Sequence, residues 1–203
     1  RPVVSAIRQV CRTSRTGTVR KGCHSGCMPT DLASRLADQL DFHWCTQLRP
    51  RLTGLTDHEY FWEPVAKCWS LHPDGSIDFS HPPPQPEPVT TIAWRLAHVI
   101  VGVLAMRNHA HFDGPPADYL SWSYATDADT ALQQLDEAYR RWNDGARRLS
   151  EADLARPVGA AEGDWAEHPM IELVLHINRE VIHHGAEIAL LRDLYIHTHQ
   201  KET

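Results

Sequence analysis

At 203 residues, with 42% apolar and 23% charged side chains, the chain has the size and composition of one globular domain built on one core. No apolar run approaches the roughly 18 residues that a bilayer-spanning helix needs, so a soluble protein with no membrane partner is expected. The formal charge of -6 is uneven: residues 1–27 hold six basic residues and no acidic one, which leaves 14 basic against 26 acidic residues, net -12, in 28–203. A body that acidic repels phosphates and excludes nucleic acid as a partner.

The basic leader (Arg1, Arg8, Arg12, Arg15, Arg20, Lys21) lacks the sustained apolar stretch of a secretory signal and shows no helical period. Met28 directly precedes the first helical pattern. The expected division is therefore a disordered or mis-assigned extension over 1–27 and a helical-bundle domain over 28–203. Cys11, Cys23 and Cys27 lie in the leader, with Cys45 and Cys68 scattered through the body. That spacing implies no disulfide framework and fits a reducing cytoplasm. Cys23-His24-Ser25-Gly26-Cys27 looks like half a zinc site, but no second half follows at useful spacing.

The first helix is predicted from a Thr30 cap through Leu32, Leu36, Leu40, Trp44, Leu48 and Leu52, a stripe at intervals of four. Thr56-Asp57-His58-Glu59 reads as a capping box opening a short helical turn. Residues 71–88 hold six prolines and must be a long loop, because proline removes donors and restricts its predecessor. A second helix is predicted from about Thr90 to Phe112, stopped by Asp113-Gly114-Pro115-Pro116, and it is apolar nearly all round, as a central helix should be. The third runs from Asp127 to about Leu149, with Leu132, Leu135, Tyr139, Trp142 and Leu149 facing inward. After a loop through Pro157, Gly159 and Gly163, the fourth extends from about His168-Pro169 to Tyr195. Four long helices and no alternating strand pattern imply an all-α four-helix bundle.

Fourteen histidines are a conspicuous excess. On the fourth helix His176, Glu180 and His184 stack along one face, beside the apolar stripe Leu173, Ile177, Val181, Ile188 and Leu191. Glu180 and His184 should therefore point inward, where an unpaired carboxylate is costly unless a charge or metal compensates it. On the second helix His98 stands in the register Trp94, His98, Val101, Gly102, Ala105, and Gly102 reads as room for a ligand or for close helix approach. His98 with the Glu180–His184 pair makes a three-ligand N/O set with open coordination positions. Two alternatives stand beside it: a buried His–Glu pair that is simply structural, and His176 as the third ligand. His183 points about 100° from His184, toward a supporting, subunit-contact or surface role. His109, His111, His197 and His199, near helix ends, read as solvated or capping residues.

These same residues carry a resemblance to the DinB-like superfamily of metal-binding four-helix bundles. Its matching pieces are Trp94-Arg95-Leu96-Ala97-His98-Val99 and the run from His176 to Ile188, with further likeness in Leu55 to Tyr60 and Pro64 to Trp69, together covering roughly residues 30–195. The resemblance implies a divalent metal on His98, Glu180 and His184. Many members carry His at the middle position; the His/Glu/His variant is similar to the N-terminal domain of mycothiol-dependent maleylpyruvate isomerase, whose additional C-terminal domain has no counterpart after the fourth helix here. The likeness implies mycothiol or a similar thiol as cofactor and a metal-dependent thiol S-transferase acting on small electrophiles. Zinc leads among the metals, with nickel, iron and manganese also suited to imidazole and carboxylate ligands. Arg95, Arg107 and Asn108 are the expected cofactor-binding residues, and the 71–88 loop is the expected lid. The alternative is a non-catalytic metal-binding stress protein or a homodimerising scaffold.

Overall fold

The computed structural model describes residues 31–80 and 82–199. The predicted extension over 1–27 and the Thr30 cap lie outside them. Asp31 caps the first helix instead, its side chain accepting from the Ser34 N–H at 3.3 Å. This helix, α1, comprises Leu32–His43, a π-helical turn Trp44–Leu48, and Arg49–Arg51. A stripe at intervals of four overshoots an α-turn by about 40° per step, so it cannot stay on one face. Leu32 at its start is accordingly exposed, whereas Leu40, Trp44, Leu48 and Leu52 are buried. The π-turn falls where Arg49 N–H donates to Trp44 O, five residues back, and Pro50 has no N–H to continue an α ladder.

The second helix, α2, is capped by Thr91 and comprises Ile92–Ala97, a π-helical run His98–Ala105, and Met106–His111. The third, α3, is Ala128–Arg147 behind an Asp127 cap, and the fourth, α4, is Met170–His199. Each of α1 and α2 packs against both α3 and α4. The helices α1 and α2 therefore stand diagonally across the bundle, as do α3 and α4. A diagonal step needs a long crossover, which explains the two long connections. Between the helices lies one core that includes Leu40, Leu52, Ile92, Leu96, Leu104, Leu135, Trp142 and Ile177. Among the described residues no helix is long and apolar enough to cross a membrane.

The first crossover contains the short helix Asp57–Tyr60, with Thr56 Oγ1 accepting from the Glu59 N–H at 3.3 Å. The reciprocal half of the predicted capping box is replaced, because the Glu59 carboxylate turns to Arg192 of α4. The proline-rich stretch is irregular as predicted and is pinned by bridges Trp69–Thr90 and Leu71–Ile77. The second crossover corrects the expectation of a plain loop: it holds a helix, Glu151–Ala155, opened by a Ser150/Asp153 capping box, and a 3-10 segment, Ala160–Trp165. Cys68 is a free, buried thiol.

Candidate functional site

The site forms where α2 and α4 meet. Buried Ile177, Val181 and Ile188 seat α4 in the core, and the 176/180/184 row runs beside them. The His98 and His184 rings stand edge to face with centroids 4.7 Å apart, and His184 Nε2 lies 3.4 Å from Glu180 Oε2. The π-helical run of α2 begins at His98, whose ring stacks on Trp94 at 5.5 Å. His98, Glu180 and His184 are thus neighbours, as the spacing predicted.

Two residues without a predicted role complete the surroundings. Tyr119, from the α2–α3 connection, places its hydroxyl 2.8 Å from His98 Nδ1. It reaches there over Gly102, where a Cβ would stand 1.7 Å from the Tyr119 oxygen. The space expected at Gly102 for a ligand or a helix is therefore filled by Tyr119. Glu187 is the second: its Oε2 lies 2.7 Å from His184 Nδ1 and 3.1 Å from Arg95 Nε. Both imidazoles are held at Nδ1, which leaves Nε2 of each as the atom to offer a ligand. The signal for Glu187 was its place three residues after His184 on one helix; no sequence pattern pointed to Tyr119.

Burial pulls His98 down to about 4 and keeps His184, His176 and His43 below the ordinary imidazole value. Burial alone would raise Glu187, but its bond to His184 and the charge of Arg95 hold it below the usual carboxylate range. Between the ordinary imidazole value and pH 4 the unfolded chain binds protons that these buried rings refuse, so stability is lost as pH falls through that window. His72, raised by its bond to Asp78, has the opposite sign but is a single exposed group. Chemical unfolding of the metal-free protein should show a lower midpoint at pH 5 than at pH 7; equal midpoints would contradict the burial of neutral histidines.

Of the predicted cofactor-binding residues, Arg95 braces Glu187 and lies 3.4 Å from His184 Nδ1. Arg107 donates to Gly102 O at 2.6 Å and pairs with Glu162 at 3.2 Å. Asn108 faces the other way, buried, with its amide donating to Ala138 O of α3 at 2.9 Å. It lines neither cavity beside the site. A small cavity of about 210 Å³ is lined by His98, Gly102, Met106, Tyr119, Ile177 and Glu180, and a cleft of about 530 Å³ adjoins it; Arg107 and His176 line both. The described residues of the 71–88 loop line neither and back the site instead, with Trp94 Nε1 donating to Asp78 O and Phe79 stacked on Tyr119.

His111 departs from its solvated reading: it is enclosed, with Nε2 2.9 Å from Glu162 Oε1. His109, 3.0 Å from Gly114 O, and His199, 2.8 Å from Tyr195 O, sit at helix ends as expected. Among the described residues, His183, His184 and Glu187 form a group whose ligand atoms all lie within 4.8 Å of one another, and this group could hold a metal ion. His183 is its exposed member, with Nε2 3.4 Å from Glu187 Oε1. The donor atoms around His184 thus fall on two sides, Glu180 at Nε2 and Glu187 at Nδ1, with the His98 ring edge to face beside them.

The profile of the DinB superfamily matches residues 39–188, which spans the site and most of the chain. No curated protein and no solved structure matches it.

Proposed function

The chain belongs to the DinB superfamily, and on that premise we propose that it holds a divalent metal ion on His98, Glu180 and His184 and transfers a low-molecular-weight thiol of the mycothiol type to small electrophiles. One observation carries the choice of ligands: Tyr119 and Glu187 occupy the Nδ1 side of the two imidazoles, so both Nε2 atoms are free to face the ion, with Glu180 beside that of His184. Arg95 disfavours the other side of His184, since its guanidinium lies 3.1 Å from Glu187 and 3.4 Å from His184 Nδ1, where it would repel a cation. An ion bound by two imidazoles and a carboxylate has open positions and lowers the pKa of a coordinated thiol.

The chain's own residues do the rest. Val103, Met106 and Ile177 give the small cavity apolar walls that exclude water around the sulfur. His176, at the junction with the cleft, is kept neutral by burial and takes the thiol proton. The thiolate sulfur then bonds to the electrophilic carbon as that carbon's π bond, or its bond to a leaving group, breaks, and the electron pair so released takes up the proton held by His176. Zinc suits this donor set, and nickel, iron and manganese are the alternatives that elemental analysis separates.

Elemental analysis of the purified protein, combined with a mycothiol titration, tests the reading. Glu187→Gln should weaken metal binding about 10- to 100-fold, as supporting partners of ligand histidines do, while saturating at the same stoichiometry. His183→Ala should change nothing. Loss of the ion in both variants would place it on the Nδ1 side and overturn the assignment.

A further inference from the structure

Resting on that reading of the metal centre, we propose that the 530 Å³ cleft is a second subsite that binds an amphiphilic anion: a flat apolar body against Trp165 and Leu175, with its negative group on Arg179. The size is of the order of ligand pockets, whereas the 210 Å³ cavity is too small to hold more than the reacting end of a molecule. The cleft adjoins that cavity, with Arg107 and His176 as walls common to both, so a group extending from the reacting atoms has room there.

The lining has one apolar and one cationic face. Val158, Ala161 and Leu173 join Trp165, which is 65% exposed, and Leu175, which is 47% exposed. Large apolar side chains left open on the wall of a concavity mark a surface that a ligand covers. Of the two acidic residues of the lining, Glu162 is enclosed between His111 at 2.9 Å and Arg107 at 3.2 Å, and Glu172 bonds to His168 at 2.7 Å. Arg179 is the exposed charge, with its side chain 69% accessible and its guanidinium held against Glu180 at 3.3 Å and His176 Nδ1 at 2.5 Å, at the junction of cleft and cavity. The Glu162 pairings fasten the 3-10 wall to α2, so the cleft is preformed.

The anion is the electrophile's, because a mycothiol-type thiol has a polar, uncharged sugar body, and one titration separates the cleft from the metal question. The metal-free full chain is titrated with 8-anilino-1-naphthalenesulfonate and with its uncharged analogue N-phenyl-1-naphthylamine. Arg179→Gln should weaken the sulfonate about fivefold and leave the neutral probe unchanged, as expected of an exposed charge contact. Trp165→Ala should weaken both about tenfold, and Leu190→Ser, exposed on α4 outside the cleft, should alter neither. Displacement of the sulfonate by cinnamate assigns the cleft to a carboxylated electrophile. Wild-type affinity in both Arg179→Gln and Trp165→Ala, or displacement by mycothiol and not by cinnamate, or by neither compound, overturns the proposal. Because no metal is present, such a failure leaves the ligand assignment standing, and loss of metal binding in the ligand variants leaves the cleft result standing.

Discussion

Arg192→Ala is expected to destabilise the protein by about 3–5 kcal/mol, the cost of stranding a buried charge without its partner. Arg192 Nε and Nη2 donate to the two carboxylate oxygens of Glu59 at 2.5 and 2.9 Å, with only 10% and 4% of the two side chains accessible. The same guanidinium donates through Nη1 to the Thr53 and Arg51 carbonyls, so one side chain of α4 fastens the start of the first crossover. Removing Arg192 leaves the Glu59 carboxylate unpaired in the interior. The double variant Glu59→Leu with Arg192→Leu should recover most of the loss, because it removes both charges and leaves two carbonyls on exposed residues that water can satisfy. Urea unfolding of the three proteins checks this. A single-variant loss below about 1 kcal/mol would show that the pair behaves as a surface ion pair.

Metal content should fall from about one ion per chain to almost none in His98→Ala, Glu180→Ala and His184→Ala, since two remaining donors cannot hold the ion. His184 is the most informative, because both donor sides include it. His98 and Glu180 belong to the proposed ligand set alone. His176→Ala should retain the ion, because the His176 imidazole serves as a proton acceptor and not as a ligand. Circular dichroism of each variant establishes that helix content is kept, and elemental analysis after gel filtration reads the stoichiometry. An unchanged stoichiometry in both His98→Ala and Glu180→Ala would remove the proposed ligand set.

Much of this was legible in the chain because helical period is a strong signal. The four long helices, the inward faces of Leu135, Tyr139 and Trp142, and the row 176/180/184 follow from spacing alone. The sequence was weaker wherever a residue's role depends on a partner far along the chain. Glu59 reads as a cap residue until Arg192 is seen 133 positions later. Gly102 reads as empty space until Tyr119 is seen filling it. Asn108 reads as a site residue by proximity to Arg107, but adjacent residues on a helix face different neighbours, and it serves α3. The π-turns of α1 and α2 also escaped, since an apolar stripe does not report which carbonyl each N–H chooses. By contrast the Ser150-to-Asp153 capping signal was present in the sequence and simply stood inside a stretch dominated by Pro157, Gly159 and Gly163.

The diagonal placement of the helices has a consequence for how the chain comes to possess its site. Of the consecutive pairs of long helices, only α2 and α3 pack on one another. They are the pair that can associate at small loop-closure cost, whereas α4 must be recruited from the far end of a second crossover. His98 belongs to the early pair; Glu180, His184 and Glu187 all arrive on the latecomer. A nascent or partly unfolded chain lacking the docked α4 can keep a helical hairpin but holds none of the paired geometry, so an ion bound across α2 and α4 would act as a clasp on the last step of folding.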